Sequence, residues 1–84
     1  MEIEFSRRAQ RDLFGLMVYL HENWGMEVAH GVEAEVTKAI ALISVHPQLG
    51  VVLQEEGVQS RFVDNAHMSL IYEVLEGTVY ILAI

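Results

Sequence analysis

The sequence predicts an α+β fold of order β-α-α-β-β-β, with a helical hairpin packed on a small, mostly antiparallel sheet. Three observations carry this. Apolar residues recur at helical spacing in two successive segments, residues 9–24 and 29–43, with only Gly25 and its neighbours between them. The single proline, Pro47, separates this helical half from everything after it. Beyond Gln59 the apolar residues alternate with polar ones or form short continuous runs, which is strand patterning. Segregated helices and strands with a terminal meander define the α+β class.

Each element has its own local reason. Residues 2–5 alternate, with Glu2 and Glu4 outward and Ile3 and Phe5 inward, so they form a short strand with one buried face. Ser6 is a good N-cap, although no Glu or Gln stands at position 9 to complete a capping box. The first helix carries Ala9, Leu13, Leu16, Met17, Leu20 and Trp24 on its apolar stripe. Gly15 inside it costs about 1 kcal/mol against alanine, so close packing is expected there. Gly25 supplies the stop. The second helix carries Ala29, Val32, Val36, Ala39, Ile40 and Ile43, and ends at His46-Pro47 because a proline disfavours helical geometry in the residue before it. A connection this short forces the two helices antiparallel.

His46 to Gly50 reads as a turn, and residues 51–57 read either as a loop or as a weak strand. A strand begins at Gln59 and runs to Val63. Met68, Leu70, Tyr72 and Val74 then alternate with Ser69, Ile71 and Glu73 in a half-buried strand. Glu76-Gly77 is a two-residue hairpin turn, a weaker signal than Asn-Gly. Thr78 to Ile84 is apolar on both faces, which places that strand centrally or under the helices.

The 84 residues bound one domain, and 52% apolar content suffices for a core. No apolar run is long enough to cross a membrane, and the acidic start MEIEF lacks the basic region of a secretory signal. The absence of cysteine excludes disulfides, thiolate metal sites and a cysteine nucleophile, and fits a cytoplasmic protein. Five Lys and Arg stand against twelve Asp and Glu, a net charge of −7. A global basic face for nucleic acid is therefore excluded, and no sequence-specific DNA binding is expected. Mean hydropathy of +0.30 is high for so small a domain, so some apolar surface should remain exposed for a partner.

Several short patterns, in order, resemble the RelE/ParE superfamily of toxins from type II toxin–antitoxin systems. They are Phe5-Ser6-x-x-Ala9-x-x-Asp12-Leu13, Tyr19-Leu20-x-x-x-Trp24-Gly25, His46-Pro47-x-Leu49-Gly50 and Arg61-Phe62. Leu70-Ile71-Tyr72-x-Val74 and Val79-x-Ile81-Leu82-x-Ile84 flank the Glu76-Gly77 turn and complete the set. The spacing is closer to the ParE branch than to RelE. The resemblance implies the fold order given above, no cofactor, and a hetero-oligomer with a cognate antitoxin whose tail wraps the toxin. It implies first a ParE-like toxin acting on a target such as DNA gyrase. The alternatives are a RelE-like ribosome-dependent mRNA endoribonuclease and a non-toxic member that only binds antitoxin. Intrinsic catalysis is expected only in the RelE-like case. Two departures stand out. Glu73 occupies a position that is commonly Arg, and family members usually continue past the last strand into a basic tail. Residues 1–84 are thus expected to be a single toxin domain lacking that tail.

RNA cleavage by a 2′-OH needs a base, an acid and a cation near the phosphorane. Residues of the right type in the β half are Arg61, His67, Tyr72, Glu73 and Tyr80. Arg61 is the only basic residue there, and the resemblance makes it a candidate for binding phosphate or acidic antitoxin residues; the alternative is pairing with Asp64. Tyr72 and Glu73 should face opposite sides of a regular strand, which argues against their forming one catalytic pair. Arg7, Arg8 and Arg11 lie in the first helical turns, where positive charge opposes the helix dipole. They are candidates for antitoxin or target contact, or they pair with Glu2, Glu4 and Asp12. His21, His30, His46 and His67 form no i, i+4 pair, so no metal site is expected, and no glycine-rich phosphate loop occurs.

Overall fold

The computed structural model spans the 84-residue chain and describes residues 1–52, 58–63, 66 and 68–84. The order is β1 (Glu2–Phe5), α1 (Arg7–Trp24), α2 (Met26–Val45), a 3₁₀ turn (Pro47–Leu49), β2 (Val51–Val52), β3 (Val58–Val63), β4 (Met68–Leu75) and β5 (Thr78–Ala83). The strands form one sheet in the order β1-β5-β4-β3-β2. Only β1–β5 is parallel; the other pairings are antiparallel. The α+β architecture matches the expected order, with β2 as one addition. Val51 and Val52 pair with Ser60 and Gln59, so the ambiguous segment begins as a strand; residues 53–57 lie outside the described residues.

The central position expected for the last strand is observed, with β5 between β1 and β4. The turn before it is the tight hairpin: Glu76 at φ 46° and Gly77 at φ 81° give the two positive-φ residues that match the twist of the flanking strands. β5 skips one residue against β4, since Tyr72 pairs with Ile81 and Ile71 with Ala83, which leaves Leu82 between them.

Ser6 caps α1, its hydroxyl accepting from the Ala9 N–H at 3.0 Å. Gly25 ends α1 and begins α2 in one residue. Its N–H donates to the Leu20 and His21 carbonyls, and its φ of 92° is a conformation that glycine adopts without strain. The core joins Ala9 of α1, Val36 and Ile43 of α2, and Val63, Leu70, Tyr72, Val79 and Ile81 of the sheet. On α2 the expected stripe is buried or half-buried throughout. On α1 it is not. Trp24 is 65% exposed, because the core engages the start of α1 and the second half of α2 while the hairpin tip reaches past it. Nor does Gly15 mark close packing: a β-carbon there would meet open space.

Tyr72 ties the sheet to the turn that follows α2. It is fully buried, its hydroxyl donates to the Pro47 carbonyl at 2.6 Å, and it accepts from the Gly50 N–H at 2.9 Å. Gly50 has ordinary φ, so it is glycine for space: a β-carbon there would overlap the Tyr72 ring and hydroxyl. Tyr72→Phe should destabilise the chain by about 1–3 kcal/mol, since two backbone groups lose their partner. Gly50→Ala should cost a similar amount, ~1–3 kcal/mol, through overpacking. Urea denaturation of both and of the double variant should show non-additivity, because the two sites share one contact.

Candidate functional site

Strand directions decide where the cations meet. β1 is parallel to β5, and β3, two antiparallel steps away, also runs with β5. The ends of β1, β3 and β5 therefore lie at one end of the sheet. The end of β1 delivers Arg7, Arg8 and Arg11 on the first turns of α1, and Arg61 lies two residues before the end of β3. So four of the five Lys and Arg residues gather at this end, spread across roughly 14 Å of sheet at the usual strand spacing.

This end is held by hydrogen bonds between the start of α1 and the end of β5. The Ser6 N–H donates to the Ile81 carbonyl at 2.9 Å, and the Ser6 hydroxyl donates to the Leu82 carbonyl at 2.9 Å. The Asp12 carboxylate accepts from the Ile84 N–H at 3.1 Å. The same oxygen lies 3.7 Å from Arg8 Nε, the i, i+4 ion pair. One of the three helical arginines thus has the acidic partner expected of it. Arg7 and Arg11 are exposed and have no ion pair among the described residues.

Arg61 sits opposite Leu70 in the β3–β4 register, and Gln59 sits opposite Tyr72. Because Leu70 and Tyr72 face the helices, Arg61 and Gln59 are on that same side of the sheet. Arg61 is half-buried and has no ion pair among the described residues; Asp64, its expected alternative partner, lies outside them. Gln59 Oε1 is buried without a hydrogen-bond partner among the described residues. Burial pushes the Tyr72 hydroxyl above its ordinary pKa of 10.0, partly offset by the Gly50 N–H and by the Arg61 charge.

Of the described catalytic candidates, Arg61 and Tyr72 share the helix side of the sheet and Glu73 does not. Tyr72 is a core residue whose hydroxyl is committed to backbone groups on both sides. Glu73 points to the opposite face of the sheet, where it pairs with Tyr80. His67 lies outside the described residues. Among the described residues no group of His, Asp or Glu could hold a metal ion. Sequence reasoning missed the Asp12–Ile84 tether and the Gly50–Tyr72 contact, which join residues 72 and 22 positions apart and leave no local pattern. Beside this end lies an open groove of about 770 Å³, lined by Phe5, Leu13, Phe14 and Met17 and edged by Gln10, Glu4 and Glu33. Phe14, outside the expected stripe, is 72% exposed there.

A family model described as ParE toxin of type II toxin-antitoxin system, parDE, matches residues 3–84. Among curated proteins none matches. Among solved structures, a chain from the chromosomal ParDE TA system from P. aeruginosa superposes with a TM-score of 0.85 at 20% identity. The match covers 99% of this chain and 91% of that one.

Two outcomes follow from the geometry. Asp12→Ala should speed hydrogen exchange at the Ile84 amide and cost about 1–2 kcal/mol, with Asp12→Asn retaining part of the bond. The second concerns pH. Tyr72 holds its proton to higher pH in the fold than in the unfolded chain, so its contribution is complete below about pH 10 and lost as pH rises above that. Urea midpoints should therefore fall more steeply above about pH 10 in the unmodified chain than in Tyr72→Phe.

Proposed function

The chain belongs to the ParE toxin family of type II toxin–antitoxin systems, and on that premise we propose that it is a toxin subunit that acts on DNA gyrase and is neutralised by a cognate antitoxin. The family match over residues 3–84 carries this reading. The geometry supports action by binding. Tyr72 and Glu73 lie on opposite sides of the sheet, and no acid–base pair forms at the cationic end among the described residues. Arg61 and the exposed Arg7, Arg8 and Arg11 offer charge to an acidic surface instead. Arg61 is the strongest contributor in this proposal, because a half-buried guanidinium is less screened than an exposed one. The work is done in the cytoplasm, where gyrase and antitoxin are found; among the described residues no helix is long and apolar enough to cross a membrane.

A second reading, an antitoxin-binding member without toxicity, is favoured by one observation: Glu73 places a carboxylate beside Tyr80 on the open face of the sheet.

Induced expression in bacteria without an antitoxin separates these readings. The toxin reading predicts growth arrest, an SOS response and accumulation of cleaved gyrase–DNA complexes. Arg61→Ala should weaken gyrase inhibition by about tenfold or more, consistent with loss of one charged hydrogen bond, and Arg61→Lys should retain part of it. Immediate translational arrest with mRNA cut on ribosomes would replace the gyrase reading. Normal growth with soluble, folded protein would favour the non-toxic one.

A further inference from the structure

The face of the sheet turned away from the helices carries a row to which no ligand has been assigned above. Glu4 pairs with Tyr80 across β1–β5, and Glu73 pairs with Tyr80 across β4–β5. A phenol ring thus stands between two carboxylates, each about 5 Å away at the level of the backbone. The three residues border one shallow depression of about 340 Å³, floored partly by Leu75 and Leu82. Neither Glu4 nor Glu73 has an ion pair or side-chain hydrogen bond among the described residues. The cations of the chain lie elsewhere. Arg61 faces the helices, Arg7, Arg8 and Arg11 are on α1, and Lys38 pairs with Glu35 on α2 at 3.8 Å.

We propose that this open face docks an extended lysine- or arginine-bearing segment of a protein partner, one cationic side chain lying over Tyr80 between Glu4 and Glu73. A cation over an aromatic face is attracted by the ring quadrupole, and the flanking carboxylates add charge from both sides. The aliphatic stem of the same side chain covers Leu82 and Leu75 while its head stays polar. Unpaired carboxylates beside apolar surface favour such a ligand over a purely apolar one. The net charge of −7 steers a basic segment toward the molecule and repels a phosphate backbone from this face. The inference stands on strand register and charge, so it does not depend on gyrase being the target.

The test is an NMR titration of the ¹⁵N-labelled chain with a capped hexapeptide alternating arginine and serine. Expected are shifts of the amides of Glu4, Glu73, Tyr80 and Leu82. Affinity should fall severalfold between about 20 mM and about 200 mM salt. Glu4→Gln with Glu73→Gln should weaken binding at least tenfold, and Tyr80→Leu should weaken it severalfold. A peptide with citrulline in place of arginine, matched in shape but uncharged, should bind at least tenfold more weakly to the unmodified chain. That comparison needs no variant to fold. No binding, shifts confined to the groove beside Phe14, equal binding of the citrulline peptide or of one alternating glutamate and serine, or folded double variants with unchanged affinity would each overturn the proposal.

Discussion

The parallel pairing of β1 with β5 is the constraint on which the rest of the structure depends. It joins the first strand to the last, with the helical hairpin and the meander between them. A strand of four residues contributes little alone. Here it covers what would otherwise be the edge of β5, a strand apolar on both faces and therefore prone to pair with another chain. It also sets the position of Ser6, whose N–H and hydroxyl both donate to β5 while the hydroxyl caps α1. The same residue ends one pairing and begins the helix. Asp12, about two turns further on, fastens Ile84. β1 in register, together with Asp12 on Ile84 and Ala9 in the core, fixes the start of α1 on the sheet and with it the arginines it carries.

The opposite corner is fixed by a different device. Tyr72 occupies the core with its ring and reaches the turn after α2 with its hydroxyl. Donating to Pro47 and accepting from Gly50, it holds two backbone groups of that turn. Raising the pKa of that hydroxyl is the electrostatic consequence of the same burial. Its partnership with Gly50 shows why a glycine of ordinary φ can be as constrained as one with positive φ.

How much of this was legible depends on whether the signal is local. The α2 stripe, the Ser6 cap, the single-residue break at Gly25 and the Glu76-Gly77 hairpin are set by neighbours within a few positions, and all appear where the sequence places them. Trp24 failed because periodicity says which residues share a helix face but not how far a sheet extends beneath it, and Gly15 because the cost of a helical glycine does not reveal whether anything packs on it. Arg61 was legible as the only cation of the β half, but not its side of the sheet. That required the β3–β4 register, because a shift of one residue exchanges the faces. The Asp12 tether and the Gly50 contact were hidden for the same reason, since only the folded chain brings their partners close.

That alternation also sets what Glu73 does for the surface. The residue faces away from the core, half-buried beside Tyr80, and determines the sign of the surface there. Glu4 is the other carboxylate in the row, on the far side of Tyr80. The domain consequently carries opposite signs on two regions, with cations at the end where β1 and β3 finish and carboxylates on the open face. One segment of uniform charge cannot satisfy both. A single partner that engages both regions must itself change sign along its length; otherwise the two regions serve different partners. In the second case binding at one need not displace a ligand from the other, and the acidic face can be occupied while the arginines remain available.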